Sequence, residues 1–253
     1  SSSLLSGNVS TSYTGRYSVK IGISALDELL GQGFPSNVLT EVYGAAGSGK
    51  THLCLQLAAN ILKSSSNTKI LFICTQERFS IDRLVCFLDE DEDDDHNSYL
   101  DRVHIEYFLE PEVELHFFSY VIHHLMQEFN YGLIIYDGVA CNTRNIENVF
   151  QKAEHLYNIV SSFRRIFLLH RVCVVFTNQV TDIPNESDSE SLKASALGLT
   201  LENSVNIKIQ IEHNKRSNER SFVLKKSLFT PLLAARFVIT SENVKGIVNN
   251  NDT

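Results

Sequence analysis

The chain has 253 residues, of which 43% are hydrophobic and 21% charged, with a net charge of −8. That is enough for one large α/β domain whose core needs neither disulfide nor structural metal, and too apolar for wholesale disorder. No apolar run approaches the roughly 18 residues of a membrane-spanning helix, which excludes a helical integral membrane protein.

The first twenty residues, SSSLLSGNVSTSYTGRYSVK, have neither the basic start nor the apolar stretch of a secretory signal. Residues 1–20 are expected to be a flexible leader, residues 21–248 one core and residues 249–253 a tail. Residues 26–30 read as a short helix stopped by Gly31 and Gly33, and 38–43 as a short strand running into a glycine-rich turn. Residues 50–62 carry Leu53, Leu55, Leu57, Ala58 and Leu62 as a helical stripe. KILFIC, at 69–74, is apolar without a break after its lysine, as in a strand buried on both faces. A helix over 80–88 leads into seven consecutive acids at 89–95, which hold nearly all of the net charge and read as a solvated loop.

Further strands are expected at 103–107, 133–136 and 172–177, with helices over 112–129 and 148–169 between them. In the first of these helices Leu115, Phe118, Val121, Ile122 and Leu125 should face inward. This alternation predicts a mostly parallel twisted sheet with helices on both faces. Three closely spaced strands at 205–211, 221–226 and 233–240 should extend it antiparallel. Five cysteines (Cys54, Cys74, Cys86, Cys141, Cys173) form no CxxC pair and are odd in number, so reduced thiols in an intracellular compartment are expected.

Gly44-Ala45-Ala46-Gly47-Ser48-Gly49-Lys50-Thr51 fits the phosphate-loop pattern GxxxxGK[ST] and lies between an expected strand and an expected helix, the context that pattern requires. Its glycines let backbone N–H groups turn toward a phosphate, and the helix start adds a positive dipole end. Lys50 would reach the outer phosphates of ATP, and the Thr51 hydroxyl would ligate Mg²⁺. The metal also needs a carboxylate from a neighbouring strand end, and Asp137, after Leu133-Ile134-Ile135-Tyr136, is the candidate.

The ordered set of motifs resembles the ATPase core of RecA-type recombinases in their eukaryotic form. It comprises Gly22 with Leu26-Asp27 and Leu29-Leu30, the phosphate loop, Cys74-Thr75-Gln76-Glu77-Arg78-Phe79, the run ending at Asp137, and Phe176-Thr177-Asn178-Gln179-Val180. Ile73-Cys74-Thr75 with Arg83-Leu84, Ala196-Leu197-Gly198-Leu199 with Asn203, and Phe237 to Thr240 followed by Val244-Lys245-Gly246 resemble the paralogue subgroup that contains X-ray repair cross-complementing protein three. The resemblance spans about residues 20 to 247.

It implies a RecA-like fold, ATP and Mg²⁺ as cofactors, and a nuclear role as a mediator in homologous recombination and double-strand break repair. The implied partners are other recombinase paralogues or the recombinase itself, with DNA bound weakly by this chain alone. The alternatives are a self-sufficient DNA-dependent ATPase that forms filaments, and a structural adaptor without turnover. Gln179 would sense the γ-phosphate. Active recombinases keep a glutamate directly after the threonine of the second strand, where this chain has Gln76. Its acid comes one residue later, at Glu77, which alternation turns to the other face unless the strand end bends. An amide can position water but cannot take its proton at neutral pH.

The family binds DNA through two loops, here residues 138–148, with Arg144 as the one cation, and 181–195, where Asp182, Glu186, Asp188 and Glu190 outnumber Lys193. Affinity for DNA comes mainly from phosphate neutralisation, so both loops are poor sites. Lys215, Arg216, Arg220, Lys225 and Lys226 read as a solvated hairpin face. Recombinases also polymerise through an aromatic linker residue, for which Tyr13 and Tyr17 are the candidates. His123 and His124, adjacent on a helix, diverge by about 100° and are not expected to share a metal.

Overall fold

The continuous apolar runs become the middle of one twisted sheet in the computed structural model, which describes residues 9–11, 17–76, 78–88, 96–183, 192–195, 198–227, 234–240 and 243–247. In chain order, β1 (Val9–Thr11), β2 (Tyr17–Val19) and, after α1 (Ser24–Leu29), β3 (Phe34–Pro35) make a small antiparallel sheet. Within the segment expected as a leader, β2 is thus a paired strand. Val19 is fully buried, and the Tyr17 hydroxyl donates to the Gly132 carbonyl.

The main sheet begins with β4 (Leu39–Gly44), followed by α2 (Lys50–Ser64), β5 (Lys69–Cys74), α3 (Ile81–Leu88), α4 (His96–Leu100) and β6 (Val103–Tyr107). A helical rod is built from α5 (Pro111–His116), a π turn (Phe117–Val121) and α6 (Ile122–Glu128). Then come β7 (Tyr131–Asp137), α7 (Val149–Leu169), β8 (Cys173–Ile183), β9 (Leu192–Ser195), α8 (Gly198–Ser204), β10 (Ile207–His213), β11 (Arg220–Lys226), β12 (Ala234–Ile239) and β13 (Val244–Gly246). The spatial order is β13-β12-β11-β10-β4-β8-β7-β5-β6, parallel from β10 to β6 and antiparallel beyond β10, with β9 paired antiparallel to β8. This is a RecA-like α/β core with the expected antiparallel extension.

Strand alternation divides the core into two layers. Ile70, Phe72, Leu133, Ile135 and Val175 pack under α1, α2 and α3, while Leu71, Ile73, Ile134, Tyr136, Val174 and Phe176 pack under the helical rod, α7 and α8. Burial on both faces is why the runs are apolar at every position. Asn148, expected as the first residue of this helix, instead caps α7, its side-chain oxygen accepting from Phe150 N at 2.8 Å. The five cysteines are free thiols, and burial pushes those of Cys74 and Cys173 up to about 12, so they stay protonated.

The structure departs from the sequence reading at several further places. The helix expected over 112–129 is interrupted by the π turn, whose wider winding rotates the inward stripe. Glu114, Phe117, Phe118, Ile122 and Met126 are buried, whereas Leu115, Val121 and Leu125 are only half-buried. Strand β8 continues to Ile183, so the start and end of the expected second loop are paired strands rather than loop. Helix α8 and strand β13, both short, have no counterpart in the reading. The acidic run at 89–95, Glu77 and Tyr13 lie outside the described residues, as do Glu186, Asp188 and Glu190.

Candidate nucleotide site

Parallel strands bring their carboxyl ends to one rim, and the registers decide which residues meet there. Gly44 of β4 lies opposite Gln179 of β8 and Ile211 of β10, and Cys74 of β5 opposite Asp137 of β7. A Cβ at Gly44 would come within 2.5 Å of the Ile211 carbonyl oxygen. The loop then folds tightly: Ser48 N donates to the Ala45 carbonyl at 3.1 Å, and Gly47 and Gly49 have φ of +72° and +106°, which only glycine adopts without strain. Ala45, Ala46 and Gly47 are exposed, so the loop backbone is open to a ligand.

Lys50 opens α2 and curls back over this loop, its Nζ donating to the carbonyls of Gly44 at 2.9 Å and Ala45 at 3.0 Å. Burial lowers its pKa, and Asp137 opposes that shift. A desolvated ammonium held by carbonyls is poised for an anion.

Thr51, one residue on, donates its hydroxyl to Asp137 Oδ2 at 2.9 Å, and the Thr177 hydroxyl donates to Asp137 Oδ1. Two hard oxygen donors beside a phosphate-binding loop suit Mg²⁺, which prefers a few carboxylate or hydroxyl ligands and retains water. The residues present therefore fit a magnesium-bound nucleotide. Thr75 anchors the strand end behind them by donating to the Gly138 carbonyl at 2.6 Å.

The Thr177-Asn178-Gln179 segment divides its work by alternation. Thr177 serves Asp137. Asn178 is buried on the other side, donating to Glu41 Oε1 at 2.8 Å. Gln179 donates from Nε2 to Gln76 Oε1 at 3.1 Å and accepts from Arg144 Nη2 at 2.6 Å. β5 ends at Cys74 and a bend follows, so Gln76 lines the same cavity as Lys50. That cavity, about 530 Å³, is lined by the polar Lys50, Thr51, Gln76, Asp137 and Gln179 and by the apolar Leu55, Phe72, Phe79 and Ile239.

Three arginines also reach it that the sequence reading did not assign there: Arg78, Arg83 and Arg220. His52 also lines the cavity, its pKa lowered by burial and then by Arg83 and Arg220. Arg220 was expected on a solvated hairpin face, and instead its Nε donates to the Ser48 carbonyl at 3.1 Å. No local pattern announces that role, because the strand order alone carries β11 to the loop.

Comparison with known proteins agrees with this architecture. The chain is 30% identical over 224 residues to the DNA repair and recombination protein RadB of Methanococcoides burtonii, across 87% of this chain and 94% of that one. It is 29% identical over 194 residues to the DNA repair protein rhp57 of Schizosaccharomyces pombe, across 66% of this chain and 55% of that one. To the DNA repair protein RAD51 homolog 3 of Cricetulus griseus it is 27% identical over 205 residues, 69% of this chain and 54% of that one. It thus spans about half the length of these last two relatives. The Rad51 family matches residues 16–247, a stretch that contains the whole main sheet and every residue of the cavity, so this chain belongs to the Rad51 family of RecA-type recombinases.

Proposed function

We propose that this chain binds ATP with Mg²⁺ in the cavity above β4 and acts as a recombinase paralogue, a mediator in homologous recombination and double-strand break repair. Family membership implies nucleotide binding with a divalent metal. The single observation that carries ATP and Mg²⁺ is the convergence of the folded-back Lys50 with the Thr51–Asp137 pair on one open phosphate loop. The names of the relatives, which are DNA repair and recombination proteins, support the biological role. We place its action in the nucleus, within a hetero-oligomer of other recombinase paralogues or with the recombinase itself.

In this reading the loop N–H groups and Lys50 would hold the phosphates, and Thr51 and Asp137 would hold the metal, which would supply charge neutralisation to the phosphates. Gln76 and Gln179, bonded to each other, line the same cavity. An amide pair there orients water without accepting its proton, so hydrolysis by the isolated chain is slow. The test is titration calorimetry of Mg-ATP with the wild type and Lys50→Ala. Loss of a charge-assisted phosphate contact should weaken binding at least tenfold. Undiminished affinity in that variant would show the phosphate site to be elsewhere.

A further inference from the structure

Arg220 stands at the first position of β11, in the antiparallel extension, yet its side chain crosses to the phosphate loop. Its Nε donates to the Ser48 carbonyl at 3.1 Å and its Nη1 to the Asn218 carbonyl at 3.2 Å. The approach is close: a Cβ on Gly49 would lie 3.3 Å from the Arg220 Nε and 2.3 Å from Ile239 Cδ1. A guanidinium has five N–H donors, and the others have no acceptor among the described residues. No carboxylate pairs with it there either, and partial burial lowers its pKa. Arg220 thus lines the same cavity as Lys50 and Thr51 with donors to spare and no carboxylate partner among the described residues, a group able to pair with an anion.

We propose that Arg220 binds the nucleotide from within the same chain, pairing its guanidinium with a phosphate oxygen, so that the antiparallel extension is a working part of the phosphate site. The bond to Ser48 fixes the head group over the helix side of the loop, and the planar fork presents the free donors to the anion. This rests on the nucleotide reading of the cavity. It differs from the sequence expectation, in which Arg220 belonged to a solvated face with Lys215 and Arg216.

The experiment compares the full chain with Arg220→Lys and Arg220→Gln, the second keeping a donor for the Ser48 carbonyl while removing the charge. Mg-ATP affinity is measured over a salt series, together with melting temperature without nucleotide and affinity for a labelled single-stranded oligonucleotide. The glutamine variant should bind Mg-ATP about tenfold more weakly with a shallower salt dependence, and the lysine variant should recover most of the loss. The nucleotide-free melting temperature should stay put, which a merely structural role would not allow. Wild-type ATP affinity in Arg220→Gln overturns the proposal, whether or not oligonucleotide binding falls. So does a drop in nucleotide-free melting temperature that matches the loss of affinity. Failure of the wild type itself to bind Mg-ATP would instead remove the underlying nucleotide reading.

Discussion

At the scale of single residues, the chemistry turns on what stands beside Gln179. Its amide bridges Arg144 and Gln76, so the position that would orient an attacking water holds a neutral group already engaged in hydrogen bonding. A carboxylate at 76 would still accept from Gln179 Nε2 and would add a proton acceptor. General-base catalysis is worth about 10²–10⁴-fold, so Gln76→Glu should raise steady-state phosphate release by at least about tenfold over a slow wild type. The same assay on Glu77→Gln completes the test. If that variant abolishes a brisk wild-type activity while Gln76→Glu changes nothing, Glu77 is the base and the role given to Gln76 is wrong.

At the scale of elements, the helical rod hides a polar centre that the hydrophobic stripe did not reveal. Glu114 is fully buried, accepting from the Tyr136 hydroxyl and lying 2.8 Å from His155 Nε2. It ties the rod to β7 and α7, beside the ring cluster of Phe118, Tyr136, Phe163 and Phe176, with centroids 5.2 to 5.6 Å apart. Removing one member of a buried hydrogen-bonded set strands its partners, so Glu114→Ala should destabilise the fold by about 3 kcal/mol. A chemical-denaturation midpoint equal to that of the wild type would contradict this. The elements themselves were largely legible: 69–74 and 103–107 are the observed strands, and α2 and α7 open at Lys50 and Val149, where helices over 50–62 and 148–169 were expected. Those signals are local. The π turn, the burial of Glu114 and the reach of Arg220 depend on what lies across the sheet, and a charged residue in a sequence reads as solvated until its partners are known. At the site, the placement of residues 44–51 and Asp137 at one rim was legible because each stands at the end of an expected strand. The Gln76–Gln179–Arg144 chain was not, since side-chain pairing over such separations leaves no trace in spacing.

At the scale of the molecule, the distribution of cations speaks to nucleic acid. Arg144, the one cation of residues 138–148, is held by Gln179. Of the tail cluster, Arg220 faces the nucleotide cavity and Lys226 donates to the Glu202 carbonyl at 2.8 Å, leaving Lys215, Arg216 and Lys225 as its exposed members. Few free cations release few counterions, so binding of single-stranded DNA by this chain alone should be micromolar or weaker at about 150 mM salt and should weaken by only about fivefold when the salt is doubled. Fluorescence anisotropy of a labelled oligonucleotide measures it, and tight binding that persists at high salt would contradict the expectation.

The separations along the chain have a consequence for synthesis. Thr51 and Asp137 stand 86 residues apart, Gln76 and Gln179 103, and Ser48 and Arg220 172. The strand that carries the phosphate loop, β4, takes both of its neighbours, β8 and β10, from sequence beyond residue 172. A nascent chain therefore displays its phosphate glycines long before it owns a cavity, and β4 waits without a partner on either side while most of the protein is made. Contacts this distant form slowly and late. A ligand that needs the whole cavity can stabilise only the finished molecule, so under the nucleotide binding proposed above such a ligand would act as a selector of completed chains.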